Sequence, residues 1–261
     1  MKELNVLSLG AGVQSSVLAL KSAIGEIPMF DCAIFADTGW EPPEVMEYLD
    51  YIESRVPFPV YRVKKGNIYN DLLAHGAGLD VRDPYIPLFI EGGGPGKRQC
   101  TADYKIKPIN DKLRELAGIK KRQAVKEIRV VMSIGISMDE IMRCKPSRVK
   151  WIWNQWPLID ARMTREDCIH WALDNEVPKP PKSSCIGCPF HSQQAWAELK
   201  HDTPELFAQA VQVDELYREI PGMKKKQYML RSNIPLREAE FKPSKREANQ
   251  FNNECEGMCG V

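Results

Sequence analysis

Several things are missing from this 261-residue sequence, and each absence narrows its chemistry. It has no apolar run approaching the ~18 residues that a membrane-spanning helix needs, so no membrane partner is expected. It has almost no net charge: 36 Lys and Arg against 35 Asp and Glu leave +1, too little for a global field that recruits nucleic acid or an anionic membrane. The local runs Lys120-Lys121-Arg122 and Lys224-Lys225-Lys226 read as solvated faces. No internal repeat is visible. Lys2 followed by an apolar stretch imitates a signal peptide, but Gln14, Ser15 and Ser16 interrupt it and no small-residue cleavage site follows. A cytoplasmic protein is therefore expected, and its eight cysteines are not read as a disulfide framework. Two phosphate-binding signatures are missing as well: neither G-x-G-x-x-G nor a Walker Gly-Lys-Ser/Thr occurs near the first loop. What remains is ordinary for a globular enzyme, 43% apolar and 27% charged, and long enough for one large domain or a domain with a small appendage.

The chain is organised around Val6-Leu-Ser-Leu-Gly-Ala-Gly-Val-Gln-Ser-Ser-Val-Leu-Ala-Leu20. An apolar run ends in small residues and an amphipathic pattern follows, which predicts strand, tight loop and helix. Ser8, Gly10, Gly12, Gln14, Ser15 and Ser16 then surround a helix start, where unpaired N–H groups and the positive dipole end form a cradle for phosphate or sulfate. Gly10 and Gly12 are expected to supply backbone angles and close approaches that a Cβ forbids. The plainer reading is a close turn with no ligand.

Asp31 to Ala36 is a second buried strand, followed by Asp37-Thr-Gly-Trp-Glu-Pro-Pro43 and a helix from Glu44 to Arg55. Phe58 to Val63 and Ile128 to Gly135 are further strands. Strands alternating with helices predict an α/β, doubly wound, mostly parallel sheet, with ligands beyond the carboxyl ends of its strands. If the first two strands are neighbours, Asp37, Thr38 and Gly39 lie beside the first loop. Asp37 then either receives a ribose or base edge, or merely starts a turn. Residues 76–98, rich in Gly and Pro, predict no packed element and a mobile lid. Lys105 opens a helix running to about Ala117, and Thr164 caps another that reaches Asn175. Helical patterns from Gln193 to Ile220 make the C-terminal half α-rich. The expected division is 1–160 for the nucleotide-binding sheet, 161–248 for the α-rich part and 249–261 for a polar tail.

Cys185-Ile-Gly-Cys188 is the strongest local signal. Two thiolates three residues apart, on a turn eased by Gly187 and closed by Pro189, can share a zinc ion or an iron–sulfur cluster; a redox pair is the rival. Cys100 is the best further ligand. Cys32 and Cys168 read as core residues.

These motifs resemble, in order, those of the phosphoadenosine phosphosulfate reductase family in the PP-loop adenine nucleotide alpha hydrolase superfamily. Leu7 to Val17 is similar to the modified PP-loop with Gln at position 14, Ala36 to Glu44 to the "DTG…PE" segment, and Lys105 to Asn110 to "KVEP(L/M)N". Cys100 and Cys185-x-x-Cys188 resemble ligands of the iron–sulfur branch, Gly135 to Arg143 falls at its sulfate-binding segment, and Glu254-Cys255 is similar to its "ECG" tail. The departures are Thr101 for a second cysteine, Ile136 for an arginine, and a tail with both Cys255 and Cys259.

The resemblance implies an adenine nucleotide bound at 8–16 and 37–39, and a 4Fe–4S cluster on Cys100, Cys185 and Cys188. It implies reduction of a sulfonucleotide as the expected reaction, with an ATP-dependent sulfur transfer as the alternative. In one, Cys255 or Cys259 attacks the sulfur of adenylyl sulfate or phosphoadenylyl sulfate, Lys105 and Arg143 neutralise its charge, and a thiol or thioredoxin-like reductant releases sulfite. In the other, ATP with Mg²⁺ adenylates a nucleic acid and sulfur displaces AMP. The missing fourth cysteine and Ile136 favour the second, and Gln14 the first. A non-enzymatic nucleotide-binding module with a structural metal is a third reading. The sequence leaves open the sulfur acceptor, the electron donor, the fourth cluster ligand and the oligomeric state.

Overall fold

The computed structural model describes residues 2–120, 125, 128–220 and 223–242. Its centre is a five-stranded, fully parallel sheet in the order β3-β2-β1-β5-β6, built from β1 (Lys2–Ser8), β2 (Cys32–Asp37), β3 (Val60–Lys64), β5 (Ile128–Ile134) and β6 (Ile152–Gln155). A two-residue strand, β4 (Phe89–Ile90), lies apart from this sheet and pairs antiparallel with β7 (Gln227–Tyr228).

Alternation along the strands feeds two cores. Leu7, Ala33 and Phe35 face a cluster completed by α1 (Val13–Ala23), α2 (Pro43–Arg55), α5 (Pro157–Asp160) and α6 (Arg165–Asp174). Val6, Cys32, Ile34 and Ala36 face the opposite cluster with α4 (Lys107–Leu116). Strands covered on both sides read as continuous apolar runs, which is why the sequence shows them plainly. A third cluster joins α3 (Ile68–Gly76), α7 (Gln193–Asp202) and α8 (Pro204–Arg218) to Trp40 and Ile186, and makes the C-terminal half α-rich. Asp214, fully buried on α8, fastens the segment that follows: its carboxylate accepts from Met229 N–H at 2.7 Å and Leu236 N–H at 2.9 Å, and pairs with Arg218.

Local chemistry explains the ends. Thr164 caps α6 through a reciprocal capping box with Asp167. Pro43 starts α2, where its missing N–H costs nothing. α6 packs against α1, so the sheet's outer layer draws on residues beyond 160.

Three expectations need correction. Residues 76–98 do hold packed structure: Ile86, Leu88 and Phe89 are buried and β4 is paired, because the partner strand lies far along the chain and leaves no local trace. Strand β3 starts at Val60 rather than Phe58; the Phe58 ring turns into the first core instead. β6, four residues long after a cationic loop, was not anticipated. Among the described residues no helix is long and apolar enough to cross a membrane.

Candidate functional site

In the order β3-β2-β1-β5-β6 the chain runs outward to one side of β1 and then returns to its other side at β5. That reversal opens a crevice at the carboxyl ends of β1 and β5, the place where such sheets take ligands. The loop from Leu9 to Gly12 leaves β1 there and enters α1. Its left-handed residue is Ala11, with φ +55°, and not a glycine as expected; Gly12 is the extended N-cap, with φ −94° and no side-chain cap. The first N–H groups of α1 therefore have no capping side chain. Ser15 Oγ accepts from Gly10 N–H at 3.1 Å and braces the turn. Ser16 is buried beside the Tyr48 phenol, which burial drives well above its ordinary pKa. Ser8 Oγ and Gln14 Oε1 are buried with no hydrogen-bond partner among the described residues. Two orphaned buried acceptors around an uncapped helix start favour a ligand that brings donors or bridging groups.

Gln14 ties this loop to the segment after β5. Its Nε2 donates to Ser137 Oγ at 3.3 Å and to Glu140 Oε2 at 3.0 Å, and Glu140 also pairs with Arg143. Arg143, expected to neutralise a sulfate, is thus engaged by a buried carboxylate within its own 3-10 turn, Met138–Arg143. Ile136 is buried. Glu140 and Ser137 are the residues that the sequence reading missed here; the i, i+3 spacing of Glu140 and Arg143 was the available signal.

At the end of β2, Asp37 serves the turn. Its Oδ1 accepts from Gly39 N–H at 2.6 Å and its Oδ2 from Lys64 Nζ at 2.7 Å. Gly39 has φ +77°, and a Cβ there would lie 2.8 Å from Asn67 Cα; only glycine fits. Thr38 is buried and faces the cysteine turn: its Oγ1 donates to Glu41 Oε1 at 3.0 Å and lies 3.3 Å from Cys185 Sγ.

The three described candidate ligands line one pocket. Cys100, Cys185 and Cys188 share it with Thr38, Lys105 and Thr101. Cys100 immediately precedes a π-helical turn, Thr101–Ile106, that runs into α4 and carries Lys105 inward. Lys105 Nζ lies 3.5 Å from Glu41 Oε1, and both side chains are more than nine-tenths buried. Glu41, unnoticed in the sequence, therefore sits among Thr38, Lys105 and Cys185, whose Sγ is 3.8 Å from the carboxylate. Burial holds the Cys185 thiol well above its ordinary pKa, Glu41 adds to that, and Lys105 opposes it.

The turn itself is held from below. Cys188 N–H donates to Cys185 carbonyl at 3.1 Å and Ile186 N–H to Trp40 carbonyl at 2.9 Å. His191 Nε2 reaches the Cys185 and Ile186 carbonyls at 3.0 and 3.1 Å. Burial lowers the His191 pKa to about 4, helped by Lys182, so the neutral ring donates one N–H to these oxygens near neutral pH. Three thiols around one pocket suit a soft metal or a cluster in kind, although among the described residues no three His, Cys, Asp or Glu side chains stand ready to hold one metal ion. Cys255 and Cys259 lie outside the described residues.

No family model matches the chain. Over 61 residues it is 41% identical to an uncharacterised 37.8 kDa protein from the gpa 5′ region of Escherichia phage 186; the match covers 23% of this chain and 17% of that protein's length. Among solved structures, it is similar to a phosphoadenylyl-sulfate (PAPS) reductase from Candida auris, solved as a phosphate complex. That similarity is 12% identical and covers 69% of this chain and 75% of the other, with a TM-score of 0.44.

Proposed function

We propose that the chain is an adenine-nucleotide-dependent enzyme of sulfur chemistry. The nucleotide's phosphates lie at the start of α1 and the reacting sulfur in the pocket of Cys100, Cys185 and Cys188. One observation carries this reading: Thr38, at the carboxyl end of β2 next to β1, contacts Cys185 Sγ, so the anion cradle and the thiols belong to one end of one sheet. Backbone N–H groups and the dipole of α1 hold the phosphates. Lys105, fixed by Glu41, supplies positive charge on the cysteine side.

Two reactions suit such a site. The geometry favours ATP, because Glu140 places a buried carboxylate against Gln14 at the crevice and occupies Arg143. A carboxylate there repels a sulfate and suits the magnesium that accompanies ATP. An acceptor oxygen attacks the α-phosphorus, pyrophosphate leaves, and a sulfur nucleophile then displaces AMP from the adenylated acceptor. In the other reaction, a thiolate of Cys255 or Cys259 attacks the sulfur of adenylyl sulfate or its phosphorylated form. AMP or its phosphorylated form leaves, and a thiol-based reductant frees sulfite from the thiosulfonate as a disulfide forms. In either case Cys100, Cys185 and Cys188 would hold the 4Fe–4S cluster, which supplies a site for sulfur or electrons.

The test gives anaerobically purified protein ATP and the two adenylyl sulfates in turn and assays pyrophosphate, AMP and sulfite. Pyrophosphate from ATP, dependent on a sulfur acceptor, supports the favoured reaction; sulfite supports the other. Protein that processes none of the three contradicts the proposal. Metal analysis accompanies it: about four irons per chain are expected, and one stoichiometric zinc in a colourless protein rules the cluster out.

A further inference from the structure

Glu41 stands where the two candidate reactions part. Both bring an adenine nucleotide to the start of α1, but only one needs the cysteine pocket to receive a sulfuryl group. The outer oxygens of that group share a negative charge, and burying them is costly unless donors or cations meet them.

Glu41 has already engaged the groups that could do so. Thr38 Oγ1 donates to Glu41 Oε1 at 3.0 Å, and Lys105 Nζ lies 3.5 Å from the same oxygen. The Glu41 and Lys105 side chains leave 2% and 8% of their surface in solvent, so salt and water screen the pair little. Cys185 Sγ faces the same carboxylate at 3.8 Å. Trp40, Ile68, Ile86, Pro87 and Pro189 supply apolar wall to the pocket. Arg98 also lines it, but is exposed, with its guanidinium 5.5 Å from the centre of the Phe190 ring, and so belongs to the rim.

The backbone on both sides of Glu41 is fixed. Trp40 is buried, stacked on Tyr69 and bonded to Gln209, while Pro42 sets the entry to α2. A carboxylate so placed repels a sulfuryl oxygen and withholds from it both the Thr38 hydroxyl and the Lys105 ammonium. Divalent sulfur, as a thiol, persulfide or sulfide, demands less: it is soft, a weak acceptor, and at home against apolar walls.

We infer that Glu41 sets the specificity of the cysteine pocket, closing it to sulfuryl groups and leaving it to divalent sulfur. The inference rests on the nucleotide site proposed above, deepens its ATP-dependent form, and names reduced, divalent sulfur as the class of sulfur donor.

The test is calorimetry of AMP, adenylyl sulfate and ATP with the anaerobically purified full chain, without reductant or sulfur acceptor. AMP and adenylyl sulfate differ only in the sulfuryl group, so the ratio of their affinities isolates what the pocket does to that group. Wild type should bind adenylyl sulfate no more tightly than AMP, a result read without any variant. Glu41→Gln keeps the shape and removes the charge that holds Lys105. It should bind adenylyl sulfate about tenfold more tightly than AMP, through a charge-assisted hydrogen bond from Lys105, with AMP and ATP affinities within about twofold of wild type. Adding Lys105→Met to that variant should erase the gain. A pair with only a structural role would shift all three affinities together or leave all three alone. Wild-type protein that binds adenylyl sulfate more tightly than AMP overturns the role of Glu41 and leaves the nucleotide site standing. So does a Glu41→Gln protein, folded by circular dichroism, whose ratio stays at the wild-type value. Binding of none of the three nucleotides overturns the nucleotide site and this inference with it.

Discussion

Replacing Gly187 by alanine places a Cβ 2.0 Å from Cη2 of Trp40, 2.5 Å from Cζ3 and 2.7 Å from Cζ2. Ordinary contacts begin near ~3.4 Å, so either the indole or the cysteine turn must move by more than an ångström. The indole is held: Nε1 donates to Gln209 Oε1 at 2.9 Å, the ring stacks on Tyr69 with centroids 5.1 Å apart, and only 3% of the residue is exposed. The turn must therefore give, although Ile186 N–H ties it to the Trp40 carbonyl. Overpacking of this kind costs about 1–3 kcal/mol, and the upper end is expected because both partners are restrained. At about 2–4 °C per kcal/mol for a chain of this size, Gly187→Ala should melt roughly 6–12 °C below wild type. Thermal and urea unfolding followed by circular dichroism measure this. The second arm is Trp40→Ala: in that background the same substitution should cost less than about 0.5 kcal/mol, a coupling that a double-mutant cycle reads directly. An equal cost in both backgrounds, or a negligible cost in the first, refutes the argument that Gly187 exists to admit the ring.

Other outcomes follow from the same geometry. His191 has an ordinary pKa of 6.5 and about 4 in the folded protein, so the unfolded chain takes up a proton between those values that the folded chain does not. Metal-free protein should thus lose roughly 3 kcal/mol of stability as pH falls from 6.5 toward 4, and His191→Gln should flatten that part of the profile. Asp214→Ala strands the N–H groups of Met229 and Leu236 together with Arg218, and should cost about 3–5 kcal/mol in urea unfolding. Gly12→Val, at the uncapped N-cap of α1, should abolish adenine-nucleotide binding by calorimetry while far-ultraviolet circular dichroism stays unchanged; wild-type affinity in that variant moves the phosphates elsewhere.

Much of the scaffold was legible because its signals are local. The run from Val6 into α1, the buried strand from Cys32 and the capping pair Thr164 and Asp167 each lie within a dozen residues of sequence. The pairing of Phe89 with Tyr228 has no such local trace, and a two-residue strand has no periodicity to detect. The site divides in the same way. Cys185-x-x-Cys188 announces itself, and Cys100 and Lys105 do line the same pocket. Glu41 reads in sequence as part of a helix entry, yet its partners Lys105 and Cys185 come from distant segments. The loop after β1 does open at the crevice, but its left-handed residue is Ala11, which no glycine count reveals. Asp37 shows what the sequence leaves out: a carboxylate at a strand end invites a ligand, and its local partners Gly39 N–H and Lys64 appear only in the fold.

The central claim is that the nucleotide loop and the three cysteines form one site. Alkylation rates of Cys100, Cys185 and Cys188 in metal-free, reduced protein, followed by peptide mass spectrometry with and without saturating ATP, test it most directly. The account predicts that bound nucleotide slows modification of Cys188 and Cys100, which are partly exposed, and leaves Cys32 and Cys168, buried in the sheet's two cores, unreactive with or without it. Unchanged rates at all three cysteines while calorimetry shows ATP bound would contradict it.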